Sequence, residues 1–184
     1  EQKELWTDDY GRVWDEYDEA FTEALPVHTL GTLIHTIEAY MAAAEATTEP
    51  EWLDRAEKMA AFAYKVASKN GWRIPEYFDE NWEANHEAGK LLNDGRRYYE
   101  GYVTGHSMQL ARFALQVRAG LRSMGWDVPD YLLEMGTELF ERARVDGWRR
   151  TDACPGFSTG VDDEGDPIPG EDEHQQWVVC EGVC

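Results

Sequence analysis

Apolar residues recur along most of this chain at the three-and-four spacing of a helix, and the pattern breaks where turn-forming residues cluster. Leu30, Leu33, Ile34, Ile37 and Met41 set a helix over residues 28–46. Thr47-Thr48-Glu49-Pro50 ends it and starts the next; Pro50 suits a first helical turn, where a fixed φ and a missing N–H cost nothing. Trp52, Leu53, Ala56, Met59, Ala60, Ala63 and Val66 form the apolar stripe of that second helix, and Asn70-Gly71 offers a left-handed stop. A long stretch rich in Trp, Tyr, Asn and Gly runs from Trp72 to Val103. A third helix opens at Thr104-Gly105, with Thr104 read as its N-cap, and carries Met108, Leu110, Ala111, Phe113, Ala114, Leu115 and Val117. The turn from Gly125 to Pro129 leads into a fourth helix from Asp130 to about Val145. Residues 151–172 read as a loop or small hairpin around Asp163-Glu164-Gly165-Asp166-Pro167, and a last helix begins near Glu173. Before residue 28 the pattern supports at most one weak helix, around Trp14 to Phe21.

These elements predict an all-α chain forming one domain over residues 1–184. Helix pairs with short turns at one end and long aromatic loops at the other point to an α/α barrel or helical toroid. Five or six helices do not close such a ring. The chain is therefore expected to be the central piece of a larger barrel, or a short form completed by another chain. A loop as long as 72–103 is usually functional or disordered, and this one is too aromatic for disorder. It is expected to line a site.

Composition narrows the chemistry. The net charge of −20, from 37 acidic against 17 basic residues, excludes a nucleic-acid binder, which needs clustered Lys and Arg. It also disfavours anionic substrates and favours neutral ones. The 42% apolar fraction is ordinary, and no segment has the length of a membrane span or the layout of a secretory signal. The three cysteines, Cys154, Cys180 and Cys184, make no disulfide framework and no CxxC unit, so neither a metal nor any other cofactor is assigned. A reducing, cytoplasmic setting is expected.

The residues that carry chemistry centre on Gly105-His106-Ser107-Met108-Gln109. A histidine in the first turn of a helix, directly after the aromatic loop Tyr98-Tyr99-Glu100-Gly101-Tyr102, sits where a ligand can reach it. The helix dipole is expected to lower its pKa and favour the neutral imidazole of a base. The opposing reading is a satisfied structural histidine.

Several strings in order resemble the N-acylglucosamine 2-epimerase superfamily, nearest to its mannose isomerase and sulfoquinovose isomerase branch. They are Trp14-Asp15-Glu16-Tyr17-Asp18-Glu19-Ala20-Phe21, His35-Thr36-Ile37-Glu38-Ala39, Trp52-Leu53-Asp54-Arg55-Ala56 and Glu76-Tyr77-Phe78-Asp79-Glu80-Asn81-Trp82, then Gly105 to Gln109, Asp146-Gly147-Trp148 and Val161-Asp162. The resemblance implies the middle of an (α/α)6 barrel, with further segments or a second copy of the chain completing it. It implies metal-free interconversion of aldose and ketose, or C2 epimerisation, of a monosaccharide. Two histidines would work through an enediol, one of them supported by a glutamate.

Carried over by residue, His106 falls on the first proton-transfer histidine and Gln109 on the position of that glutamate. His35 falls on a substrate-side histidine of the interior, beside Glu38, and Arg97 (or Arg96) on an arginine before the Gly-His pair. Glu38 and Glu181 are read either as sugar-hydroxyl ligands or as buried helix contacts. His28, His86 and His174 are read as surface or capping residues. Glutamine cannot offset an imidazolium charge, so Gln109 is expected to weaken proton transfer, and the second proton-transfer histidine has no counterpart here. A catalytically inactive carbohydrate-binding or scaffold barrel is the alternative, and a glycoside hydrolase or lyase on an α/α toroid a third reading.

Overall fold

The computed structural model describes residues 7, 12–92, 99–149, 155–170 and 174–183. Four long helices dominate: α1 (Leu30–Thr47), α2 (Pro50–Lys69), α3 (Thr104–Ser123) and α4 (Tyr131–Gly147), with a short α5 (Gln176–Glu181). The four long helices lie within a few residues of where periodicity places them. One core joins them. It contains Leu33, Ile34 and Ile37 of α1, Met59 and Ala63 of α2, Leu110, Phe113 and Val117 of α3, and Leu132, Met135 and Leu139 of α4. Burial of these stripes is the main force holding the helices together, at about 25 cal/mol per Å² of apolar surface removed from water.

The expected loop between α2 and α3 contains regular structure. Strand β1 (Val27–Thr29) pairs antiparallel with β2 (Tyr77–Asp79), His28 opposite Phe78. A 3-10 helix (His86–Leu91) follows, capped by the Asn85 side chain. Strand β3 (Tyr102–Val103) leads directly into α3 and pairs with β6 (Gly160–Val161), while β4 (Trp148–Arg149) pairs with β5 (Gly156–Phe157). These pairings tie the chain before α1 to the loop after α2, and the start of α3 to the loop after α4. The long connections thus gather at the end where α1 and α3 begin and α2 and α4 finish, with the short turns after α1 and α3 at the other.

Two capping expectations have different outcomes. Thr104 does not cap α3. It is the first helical residue, its N–H donates to the Thr159 carbonyl and its hydroxyl to the Ser158 carbonyl, because strand pairing runs straight into the helix. The cap that does form is Thr29 on α1, whose hydroxyl oxygen accepts from the Thr32 N–H at 3.1 Å. Asp15 secures it, accepting from the Thr29 N–H at 3.0 Å and from its hydroxyl at 2.6 Å. Replacing Thr29 by alanine is expected to cost about 1 kcal/mol, read as a shift of the urea midpoint at constant slope.

His28 is a correction. It is fully buried, not a surface or capping residue, and lies between Trp82 (ring centroids 3.9 Å apart, nearly parallel) and Trp14 (4.7 Å). The Asp15 carboxylate is 3.6 Å from its Nδ1. Trp82 holds a left-handed backbone (φ 63°), uncommon for so bulky a residue, and the stack on His28 together with the turn hydrogen bonds around Asp79 retains it there. The segment from Glu76 to Trp82 is thereby fixed at both ends.

Candidate active site

The first turn of α3 presents His106 with about a fifth of its side chain exposed. Its Nδ1 lies 2.8 Å from Oε2 of Glu76, whose side chain is buried. Glu76 reaches this position because its own carbonyl accepts from the Leu30 N–H at the start of α1. Its other carboxylate oxygen accepts from the Val103 N–H at 3.2 Å, just ahead of α3. One carboxylate therefore joins the starts of two helices and an imidazole. The positive end of the α3 dipole favours negative charge at that spot.

Aromatic rings frame the histidine. Trp177 of α5 lies 5.3 Å from His106, ring centre to ring centre, and Tyr99 lies edge-on at 6.4 Å. Gly105 allows this approach, since a Cβ there would fall on the indole of Trp177. Below Trp177, Glu181 accepts from Arg112 of α3, with Nε–Oε2 at 3.1 Å. Aromatic faces beside hydrogen-bonding groups suit the apolar C–H faces and hydroxyls of a sugar.

The expected pKa of His106 is reversed. Burial opposes its protonation, but the charge and hydrogen bond of Glu76, with a further contribution from the Glu181 carboxylate, outweigh that and hold it above the usual histidine value. Two carboxylates overcome the dipole of one helix end. Its contribution to folding is therefore full below the ordinary histidine range and is lost as pH rises through the raised value.

The other expected site residues are placed as follows. Gln109 is partly buried, one turn further along α3, and the carboxylate that touches the His106 ring is Glu76. His35 and Glu38 are exposed on α1, bonded to each other at 3.0 Å (Nδ1 to Oε2), so Glu38 is not a buried helix contact. Arg96 and Arg97 lie outside the described residues. His174 is exposed, and His86 stands edge-on to Tyr102 at 5.7 Å. Among the described residues no group of three His, Cys, Asp or Glu could hold a metal ion, and no helix is long and apolar enough to cross a membrane.

Sequence reasoning missed the role of Glu76, although a signal was available. It is a lone acid between Ile74 and Tyr77-Phe78, all of them buried, and a charge in an apolar run needs a partner. It also missed Trp177, which nothing in its local pattern separates from a core residue.

A second polar cluster secures the loop after α4. Buried Asp146 accepts from Arg73 Nε at 2.7 Å and lies 3.4 Å from Arg142. Arg73 also donates to the Asp163 carbonyl, and the Tyr102 hydroxyl donates to the Asp163 carboxylate, both at 2.7 Å. Gly165 (φ 90°) completes the approach, since a Cβ there would lie 2.6 Å from the Asp146 carboxylate.

Comparison with known proteins places this geometry in context. The sequence profile of the family described as N-acylglucosamine 2-epimerase (GlcNAc 2-epimerase) matches residues 1–184. A D-mannose isomerase of Thermobifida fusca is 30% identical over 185 residues, covering 99% of this chain and 43% of that protein. Another, from Pseudomonas cannabina pv. alisalensis, is 29% identical and is covered over 44% of its length. Among solved structures, a D-mannose isomerase matches 97% of this chain with a TM-score of 0.81 at 23% identity, over 44% of its own length. The cellobiose 2-epimerase of Spirochaeta thermophila matches 98% with a TM-score of 0.70 at 15% identity. The chain spans less than half the length of these relatives.

Proposed function

This chain belongs to the N-acylglucosamine 2-epimerase family, and from that premise we propose that it forms the central part of an (α/α)6-barrel sugar isomerase or epimerase. The reaction is interconversion of an aldose and a ketose, such as mannose and fructose, or inversion at C2, with no metal. In the open-chain sugar, neutral His106 takes the proton from the carbon next to the carbonyl. The electron pair of that C–H bond moves to form the C=C of an enediol, and the carbonyl oxygen takes up a proton. Return of a proton to C1, as the C2 hydroxyl gives up its proton to become the carbonyl, gives the ketose; return to C2 from the opposite face, as the C1 hydroxyl gives up its proton, gives the epimer. The second proton-transfer group comes from a segment or chain outside these residues. Gln109 lies one turn along the same helix and acts on the histidine side of the site. His35, Glu38 and Arg97 are proposed to bind substrate, the first two as an exposed pair that can exchange its mutual bond for sugar hydroxyls.

The observation that carries this reading is His106 itself: a partly exposed imidazole in a helix's first turn, engaged at one nitrogen by a buried carboxylate and flanked by two aromatic rings. It is tested by following mannose and fructose chromatographically with the complete protein that carries this chain. Because the base must be neutral and its pKa is raised, kcat/KM is expected to rise with pH through a limb above the ordinary histidine range. A kcat/KM that does not change with pH through and above the histidine range would count against His106 as the base.

The neutral Gln109 favours one other reading, a barrel that binds sugar without converting it. Calorimetric binding of mannose without turnover, by the complete protein, would select it.

A further inference from the structure

We infer that Glu76 is the positioning residue of the proton-transfer step, fixing the tautomer and orientation of His106 so that Nε2 alone meets the substrate. The inference rests on the isomerase reading for its purpose, but on geometry for its substance. Glu76 Oε2 is 2.8 Å from His106 Nδ1, and an ionised carboxylate can only accept, so the Nδ1 hydrogen is the one retained. That leaves Nε2 as the lone-pair nitrogen, and the proton taken from the sugar must arrive there.

Glu76 is also unusually well placed to hold still. Its backbone carbonyl is engaged by Leu30, its second oxygen by Val103, and the strand that follows it is paired with β1 and braced by the His28–Trp82 stack. A ring bonded to a group fixed at three points loses little entropy on reaching its reactive orientation. Gln109 can add a hydrogen bond from its own helix, but it carries no charge to balance the imidazolium formed in the reaction. Glu76 does.

The groups that face His106 are Glu76 from the segment before β2, Glu181 with its partner Arg112 across α5 and α3, and the rings of Tyr99 and Trp177. Glu181 stays in place when Glu76 is changed, so the two carboxylates can be separated by substitution.

The decisive variant is Glu76→Gln, since a glutamine oxygen can still accept from the Val103 N–H and keep the fold. Nitrogen-edited NMR of the His106 ring is recorded on wild type, Glu76→Gln and Glu76→Asp. Wild type is expected to hold the Nδ1–H tautomer and to titrate above ordinary histidine. Glu76→Gln is expected to lower the titration midpoint and admit the Nε2–H tautomer, and Glu76→Asp to fall between them. In the complete enzyme, Glu76→Gln is expected to reduce kcat about 10- to 100-fold with KM little changed. An unchanged tautomer and midpoint in Glu76→Gln, with the fold intact by circular dichroism, would overturn the inference. Absence of turnover in wild type would instead overturn the isomerase reading and leave the NMR result to judge Glu76 alone.

Discussion

Replacing His106 by asparagine is expected to reduce isomerisation by roughly 10²- to 10⁴-fold, the range for losing a positioned general base. Asparagine can hydrogen-bond a sugar but has no titratable nitrogen. The loss should therefore fall on kcat, with KM moved far less, because contacts at the other end of the sugar persist. Little disturbance of the fold is expected, since His106 is partly exposed and the Val103 bond to Glu76 survives the change. Steady-state kinetics with mannose read the effect, and washing out deuterium from C2-labelled mannose reads the proton abstraction directly. A variant that keeps more than about a tenth of wild-type kcat would remove His106 from the chemistry.

The second large effect lies away from the imidazole. Replacing Asp146 by alanine is expected to destabilise the chain by about 3–5 kcal/mol, the usual cost of removing one member of a buried ion pair. Its carboxylate is buried and is the group that holds the Arg73 guanidinium more firmly protonated. Without it Arg73, itself only 16% exposed, keeps its charge and loses its counter-ion. The Asp163–Gly165 turn loses its tie to α4 through Arg73, while the Tyr102 hydroxyl still holds Asp163. Denaturant unfolding should show a lower midpoint at similar slope. A loss below about 1 kcal/mol would mean that water solvates Arg73 as well as Asp146 does.

The four long helices were legible because each carries its own period of apolar residues, and the stops at Pro50, Gly71 and Gly125 are local signals. The short strands were not. Each is two or three residues long, and β1–β2 and β3–β6 exist only through a partner remote in the chain, as when Tyr102 meets Val161. The same distance hid the N-terminal side of α3: Thr104 looks like a cap, yet its hydroxyl is taken by Ser158. His28 resembled a surface residue because the tryptophans that cover it, Trp14 and Trp82, come from two separate loops.

The candidate site divides along the same line. His106 could be singled out by its place after an aromatic loop and before a helical stripe. Its carboxylate could not, since Glu76 lies thirty residues earlier, just before β2, and meets the ring only once its segment is tied to the start of α1. The family resemblance put the supporting position at Gln109, with the expectation of a weakened base. The carboxylate bonded to the ring comes from across the fold, and it reverses the expected pKa direction. Local sequence found the candidate histidine, and tertiary structure supplies the carboxylate bonded to it.

The protein carrying this chain is proposed to move a proton at the carbon beside a sugar carbonyl. The most direct test is proton NMR of mannose, fructose and glucose in D2O with that complete protein. The account predicts that the C2 proton signal of mannose decays as fructose appears, with deuterium entering the position that receives the returned proton, and that His106→Asn slows both together. Full retention of the C2 proton in all three sugars under wild-type protein would contradict it.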